Sequence, residues 1–174
     1  MEIILICLAA FLASLLTFFS GFGLGTILMP VFALFFPLEM AIALTGVVHL
    51  LNNLFKMYLV GKEANWRIVI KFGAPAVISA LIGAWLLMSF SETTEWYVYA
   101  LGGKEFVITP IKVMVAFLMF GFAFLELMPF FKKLEFAENK LFIGGVISGF
   151  FGGLSGHQGA LRSAFLIKYG LSKE

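Results

Sequence analysis

The sequence predicts an all-α fold, a polytopic transmembrane helical bundle with glycine-broken helices and a two-repeat architecture whose second repeat is incomplete. Composition is the first ground. Of 174 residues, 61% are hydrophobic and 13% charged, and mean hydropathy is +1.04. Soluble domains are roughly 45–50% apolar and about 25% charged, so a soluble globular domain is excluded. Disorder needs low hydrophobicity and high net charge and is excluded too. The second ground is run length: the apolar stretches extend for about twenty residues, the length of a membrane helix. They do not alternate apolar and polar as barrel strands do. The third is the placement of 18 glycines, many clustered at two places in the chain.

The first apolar stretch, Ile3 to Phe36, is too long for one straight crossing. At about 1.5 Å per residue it would reach ~50 Å, against a hydrocarbon core about 30 Å thick. Gly21, Gly23 and Gly25 interrupt it, then Pro30. It therefore breaks, as a discontinuous span or a re-entrant hairpin, with a half-helix expected after Gly25. The N-terminus lacks the basic region of a signal peptide and reads as a retained first membrane segment. Further spans are expected at Met40 to Val60, Ile68 to Phe90 and Pro110 to Phe131. A fifth region begins near Leu141 and runs through Gly144, Gly145, Gly149, Gly152, Gly153, Gly156 and Gly159 to Gly170. On this division, residues 1–133 are the first transmembrane repeat and 134–174 the start of the second. Placing Gly25 on Gly159 sets an offset of 134.

Basic residues orient the spans. Lys62 and Arg67 follow the second stretch, and Lys132, Lys133 and Lys140 follow the fourth. The connection from Ser91 to Thr109 holds only Lys104, against Glu92, Glu95 and Glu105. The two basic connections are expected in the cytoplasm and Ser91–Thr109 outside, in a multi-pass protein of the cell (inner or plasma) membrane. Trp66 and Trp96 flank the third span at interfacial positions. The single cysteine, Cys7, excludes a disulfide framework and any Cys-x-x-Cys site. No metal, no organic cofactor and no nucleic-acid partner is expected. The expected partners are the lipid bilayer, a small-anion substrate and a possible homo-oligomer.

Candidate chemistry sits where polar groups interrupt apolar runs. A break in SGFGLGTILMP (Ser20–Pro30) leaves backbone groups unpaired, tolerable only inside protein or beside a water-filled cavity. Helix N-termini at such a break attract anions; the same glycines also permit close helix packing. In the second broken segment stand His157, Gln158 and Arg162, the last being one of two arginines. Burying an arginine in a membrane costs about 2.5 kcal/mol or more. Arg162 is therefore either an anion partner in a cavity or an interfacial residue near Lys168, with His157 and Gln158 as polar lining. Thr45, His49 and Asn52 fall at i, i+4, i+7 on one helical face, as a pathway lining or an interhelical seam. Glu126 and Lys56, near span ends, are expected at the interface with no role. Gly153-Leu154-Ser155-Gly156 matches the Gly-x-Ser-Gly nucleophile motif of rhomboid proteases. The alternative to transport is thus an intramembrane serine protease, or else a non-transporting membrane fragment.

Two segments carry a family resemblance: Gly21–Arg67 and Gly145–Glu174. Their pattern is a Gly-x-Gly-rich turn, a proline a few residues on, and Ala-x-x-x-Thr opening the next span. Gly21, Gly23, Gly25, Pro30, Ala41 and Thr45 fit it. The chain resembles the sulfite exporter TauE/SafE family, also called the toluene sulfonate uptake permease family. The resemblance implies no enzyme but a permease or secondary transporter for a small anion: sulfite, a sulfonate or a related organosulfur compound. It implies Gly21, Gly23, Gly25 and Pro30 at the first break, Thr45 on the adjoining span and Gly159 at the second break as substrate-binding positions. The chain departs from the family at Leu24, where glycine is common, at His157 and Gln158, where glycines are usual, and at Ala164, where proline is. Members have about eight spans, so this chain, with roughly five, is expected to be C-terminally truncated and not to transport alone.

Overall fold

The computed structural model describes residues 2–20, 24–91, 94–128, 138–157 and 159–166. Among these residues there are seven α-helices and one β-hairpin. The order is α1 (Glu2–Ser20), α2 (Leu24–Ala33), α3 (Leu38–Val60), α4 (Trp66–Ser91), β1 (Tyr97–Leu101), β2 (Lys104–Ile108), α5 (Pro110–Leu127), α6 (Leu141–Ser155) and α7 (Gly159–Leu166). Helices α3, α4 and α5 are long and apolar enough to cross a membrane. At 10, 15 and 8 residues, α2, α6 and α7 are not. The break expected at Gly21 and Gly23 lies outside the described residues; α1 is described to Ser20 and α2 from Leu24.

Local chemistry sets the ends. Pro37 precedes α3, and Glu39 sits in its first turn, where a negative charge complements the helix dipole. Thr109 caps α5, its side chain accepting from the Lys112 N–H, and Pro110 occupies the first turn, where its missing N–H costs nothing. At the other end Met128 is extended, so α5 stops at Leu127. The last residues of the expected fourth span, 129–131, lie outside the described residues. Gly156 closes α6 with φ 70° and ψ 4°, a left-handed conformation that suits glycine.

The Ser91–Thr109 connection holds a β-hairpin. Gly102 and Gly103, at φ 61° and 77°, form its two-residue turn, and Tyr97 pairs with Ile108 at the open end. Two positive φ values are what a turn matched to strand twist requires. Tyr99 stacks on Phe106 with ring centroids 5.4 Å apart.

Packing explains most of the second glycine series. Gly145, Gly149 and Gly153 recur every fourth residue along one face of α6. Side chains there would run into the carbonyls of Phe72, Ala76 and Ala80 on α4. Gly83 of α4 returns the same intimacy against Phe150. Small residues at this spacing let membrane helices approach until their backbones touch. Gly144 lies under the Phe165 ring. Phe165 is near the end of α7 and Gly144 near the start of α6, so α7 doubles back on α6 as a hairpin. Ala13 of α1, Leu24, Leu28 and Phe32 of α2 and Ala41 of α3 form a second buried cluster. The outer faces are apolar: Val77, Ile78, Leu81, Trp85 and Met88 of α4 are all exposed, as lipid contact requires.

Candidate functional site

The first turn of α2 meets the end of α6. A Cβ on Gly25 would lie 2.5 Å from the Gly156 carbonyl oxygen and 3.3 Å from His49 Nε2. Only a glycine at position 25 lets the two segments close to this distance. One residue further on, Thr26 bridges two other elements. Its hydroxyl donates to Glu126 Oε2 of α5 at 3.0 Å, and its oxygen lies 3.1 Å from His157 Nδ1. Because the hydroxyl proton goes to the carboxylate, the oxygen is left to accept from the imidazole N–H. The result is a directed chain, His157 to Thr26 to Glu126. The ring is also 3.9 Å from the same carboxylate oxygen.

These groups are sheltered. His157 is 1% exposed and the Glu126 side chain 11%. Phe122, one turn before Glu126, stacks on the imidazole at 5.7 Å and 29°. Pro30 follows Thr26 by four residues inside α2. Lacking an N–H, it leaves the Thr26 carbonyl without its helical donor. Around this centre stand three more polar side chains. Glu126 acts electrostatically on the Arg162 guanidinium of α7. Arg162 in turn is felt by both His49 and Lys56 of α3. Thus α2, α3, α5 and the α6–α7 hairpin bring a carboxylate, two imidazoles, two cations and a hydroxyl to one place between apolar helices.

The expected site residues divide accordingly. Gly25, His49, His157 and Arg162 are brought together, with Gly159 opening α7 beside them. Asn52 is half-buried one turn beyond His49 on α3. Thr45 is fully buried and donates to the Ala41 carbonyl at 2.7 Å, so its hydroxyl proton is held inside its own helix. Pro30 faces a different space, a cavity of about 880 Å³ between the α2–α3 turn, the hairpin and α5, whose walls include Tyr99, Phe106 and Lys112. Gly21, Gly23 and Gln158 lie outside the described residues. Glu126, expected at the interface with no role, accepts from Thr26 at the centre of the cluster. Lys56 likewise is half-buried and within the field of Arg162. The missed signal was an acid inside an apolar run, costly in a membrane unless partnered. Thr26, next to the glycine series, was passed over as well.

The protease alternative is not favoured. The Ser155 hydroxyl donates to the Phe151 carbonyl at 2.8 Å and also reaches the His157 carbonyl. Its proton is committed to backbone oxygens, whereas a nucleophile needs a base to take it.

No curated protein and no solved structure matches the chain significantly. The family model described as "Sulfite exporter TauE/SafE" matches residues 6–174. That match covers both broken segments and every helix that meets at the cluster, and the chain belongs to the sulfite exporter TauE/SafE family, a family of membrane transporters.

Proposed function

We propose that this chain is a multi-pass inner-membrane permease for a small oxyanion, sulfite or an organosulfonate, bound where the two breaks meet. The observation that carries the reading is the juxtaposition of Gly25 with Gly156 and of Thr26 with His157. Two half-helix N-termini then face one space, each worth about half a positive charge, and Arg162 adds a full one. A guanidinium stays protonated and its planar fork spans two oxyanion oxygens. Broken helices that meet inside a bundle are the usual setting for a transported ion.

With Gly25 placed on Gly159, an offset of 134, residues 1–133 and 134–174 read as one repeat and the start of another. Isothermal titration of the purified protein with sulfite and with methanesulfonate tests the reading. Saturable one-site binding of both is expected, with none for methylammonium. Absence of saturable binding to either anion would overturn it.

A further inference from the structure

We propose that Glu126 is a proton-binding site linked to anion binding, with Thr26 and His157 as its relay, so that the permease takes up one proton with each anion. The inference rests on the anion site proposed above and names the second ion bound there.

The argument starts from charge. An ionised carboxylate beside an anion site opposes its purpose, because it offsets Arg162 and repels the incoming oxyanion. The opposition disappears once the carboxylate is protonated. Binding of the anion and of the proton then favour each other, and linkage makes the effect reciprocal. The hydrogen bonds provide the means. With Glu126 ionised, His157 N–H donates to Thr26, and Thr26 O–H donates to Glu126. With Glu126 protonated, the chain reverses: the carboxyl O–H donates to the Thr26 oxygen, and the Thr26 O–H donates to an imidazole nitrogen. Every member stays bonded in both states, so neither state leaves a buried polar group orphaned. Intramembrane acid–histidine chains commonly serve as proton relays.

The surrounding charges do not remove the need for this proton. Arg162, His49 and Lys56 act on the cluster from α7 and α3. Helices α2 and α6 carry no titratable side chain. The two of α4, Arg67 and Lys71, are exposed. On α5, Lys112 sits at the opposite end, donating to the Val107 carbonyl at 2.7 Å. Glu126 is thus the one carboxylate among the described residues of the cluster, and its protonation is the step that changes the sign of the balance.

Titration of the purified protein with methanesulfonate tests this, because that anion keeps one charge across the pH range and contributes no proton. Heats measured in buffers of different ionisation enthalpy count the protons taken up. About one proton per anion is expected for the wild type, with affinity falling about tenfold for each added pH unit. Glu126→Gln, which mimics the protonated acid, should bind more tightly than wild type at high pH and take up no proton. His157→Gln should slow the proton uptake that accompanies binding while leaving the proton count near one. Wild-type binding without proton uptake would overturn the inference and leave the anion site standing, a result that does not depend on any variant folding. Uptake persisting in Glu126→Gln but lost in His157→Gln would also overturn it. Loss of all anion binding in the wild type would overturn both readings.

Discussion

Thr26 and His157 are 131 residues apart in the chain and 3.1 Å apart in space. The contact exists because Gly25, one residue earlier, has no side chain to hold the Gly156 carbonyl away. Thr26→Val keeps the shape but removes the hydrogen bonds that Thr26 makes to Glu126 and His157. A loss of about 1–3 kcal/mol is expected, with Thr26→Ser near wild type. Unfolding by graded denaturing detergent measures both. Equal stability of the valine variant would mean that Glu126 and His157 close the gap themselves.

The glycine face between α4 and α6 makes a graded prediction. Gly149→Val drives a side chain into the Ala76 carbonyl and the Ser79 hydroxyl, whereas Gly46 of α3 has nothing within 4 Å of an added Cβ. Overpacking costs about 1–3 kcal/mol, so Gly149→Val should lower the melting temperature in detergent and Gly46→Val should leave it nearly unchanged. Matching shifts would contradict the packing described.

Arg162 is argued to grip two oxyanion oxygens. Arg162→Lys keeps charge and loses the fork, so weakened methanesulfonate binding is expected. Arg162→Gln should lose more, about 1.5–3 kcal/mol, roughly ten- to 150-fold in affinity. Calorimetry on folded variants decides it, and wild-type affinity in the glutamine variant would return Arg162 to an interfacial role.

How much of this was legible in the sequence follows from what each signal measures. The long spans α3, α4 and α5 were readable because twenty apolar residues have one stable solution in a bilayer. The end of α6 at Gly156 was readable from clustered glycines. The hairpin was not, although Gly102-Gly103 between two β-rich runs is a known turn signal. Apolar span-finding treats such a segment as a connection and stops looking. The glycine series of Gly145, Gly149 and Gly153 was ambiguous because packing and breakage use the same residue, and only the approach of α4 separates them from Gly156. Arg162 and His157 were legible as polar residues in apolar surroundings. Glu126 was equally visible, but its distance from the end of the run suggested an interface. Nothing in one sequence says that α5 brings it to Thr26.

Orientation rests on the basic connections alone. In a Cys7→Ala background, a cysteine at position 94 should label from outside in intact cells and one at position 64 should not. The reverse pattern would invert the assignment and make the cavity beside the hairpin cytoplasmic.

The central claim is that the anion sits where the two breaks meet. Asn52 is half-buried on α3, one turn from His49 and one turn from Lys56. With Asn52→Cys introduced into a Cys7→Ala background, the rate of maleimide labelling reads occupancy of that space directly. Saturating methanesulfonate is expected to slow labelling at position 52 while leaving a loop cysteine at position 64 unaffected. An unchanged rate at position 52 under conditions where the anion is bound would place the anion elsewhere and contradict the account.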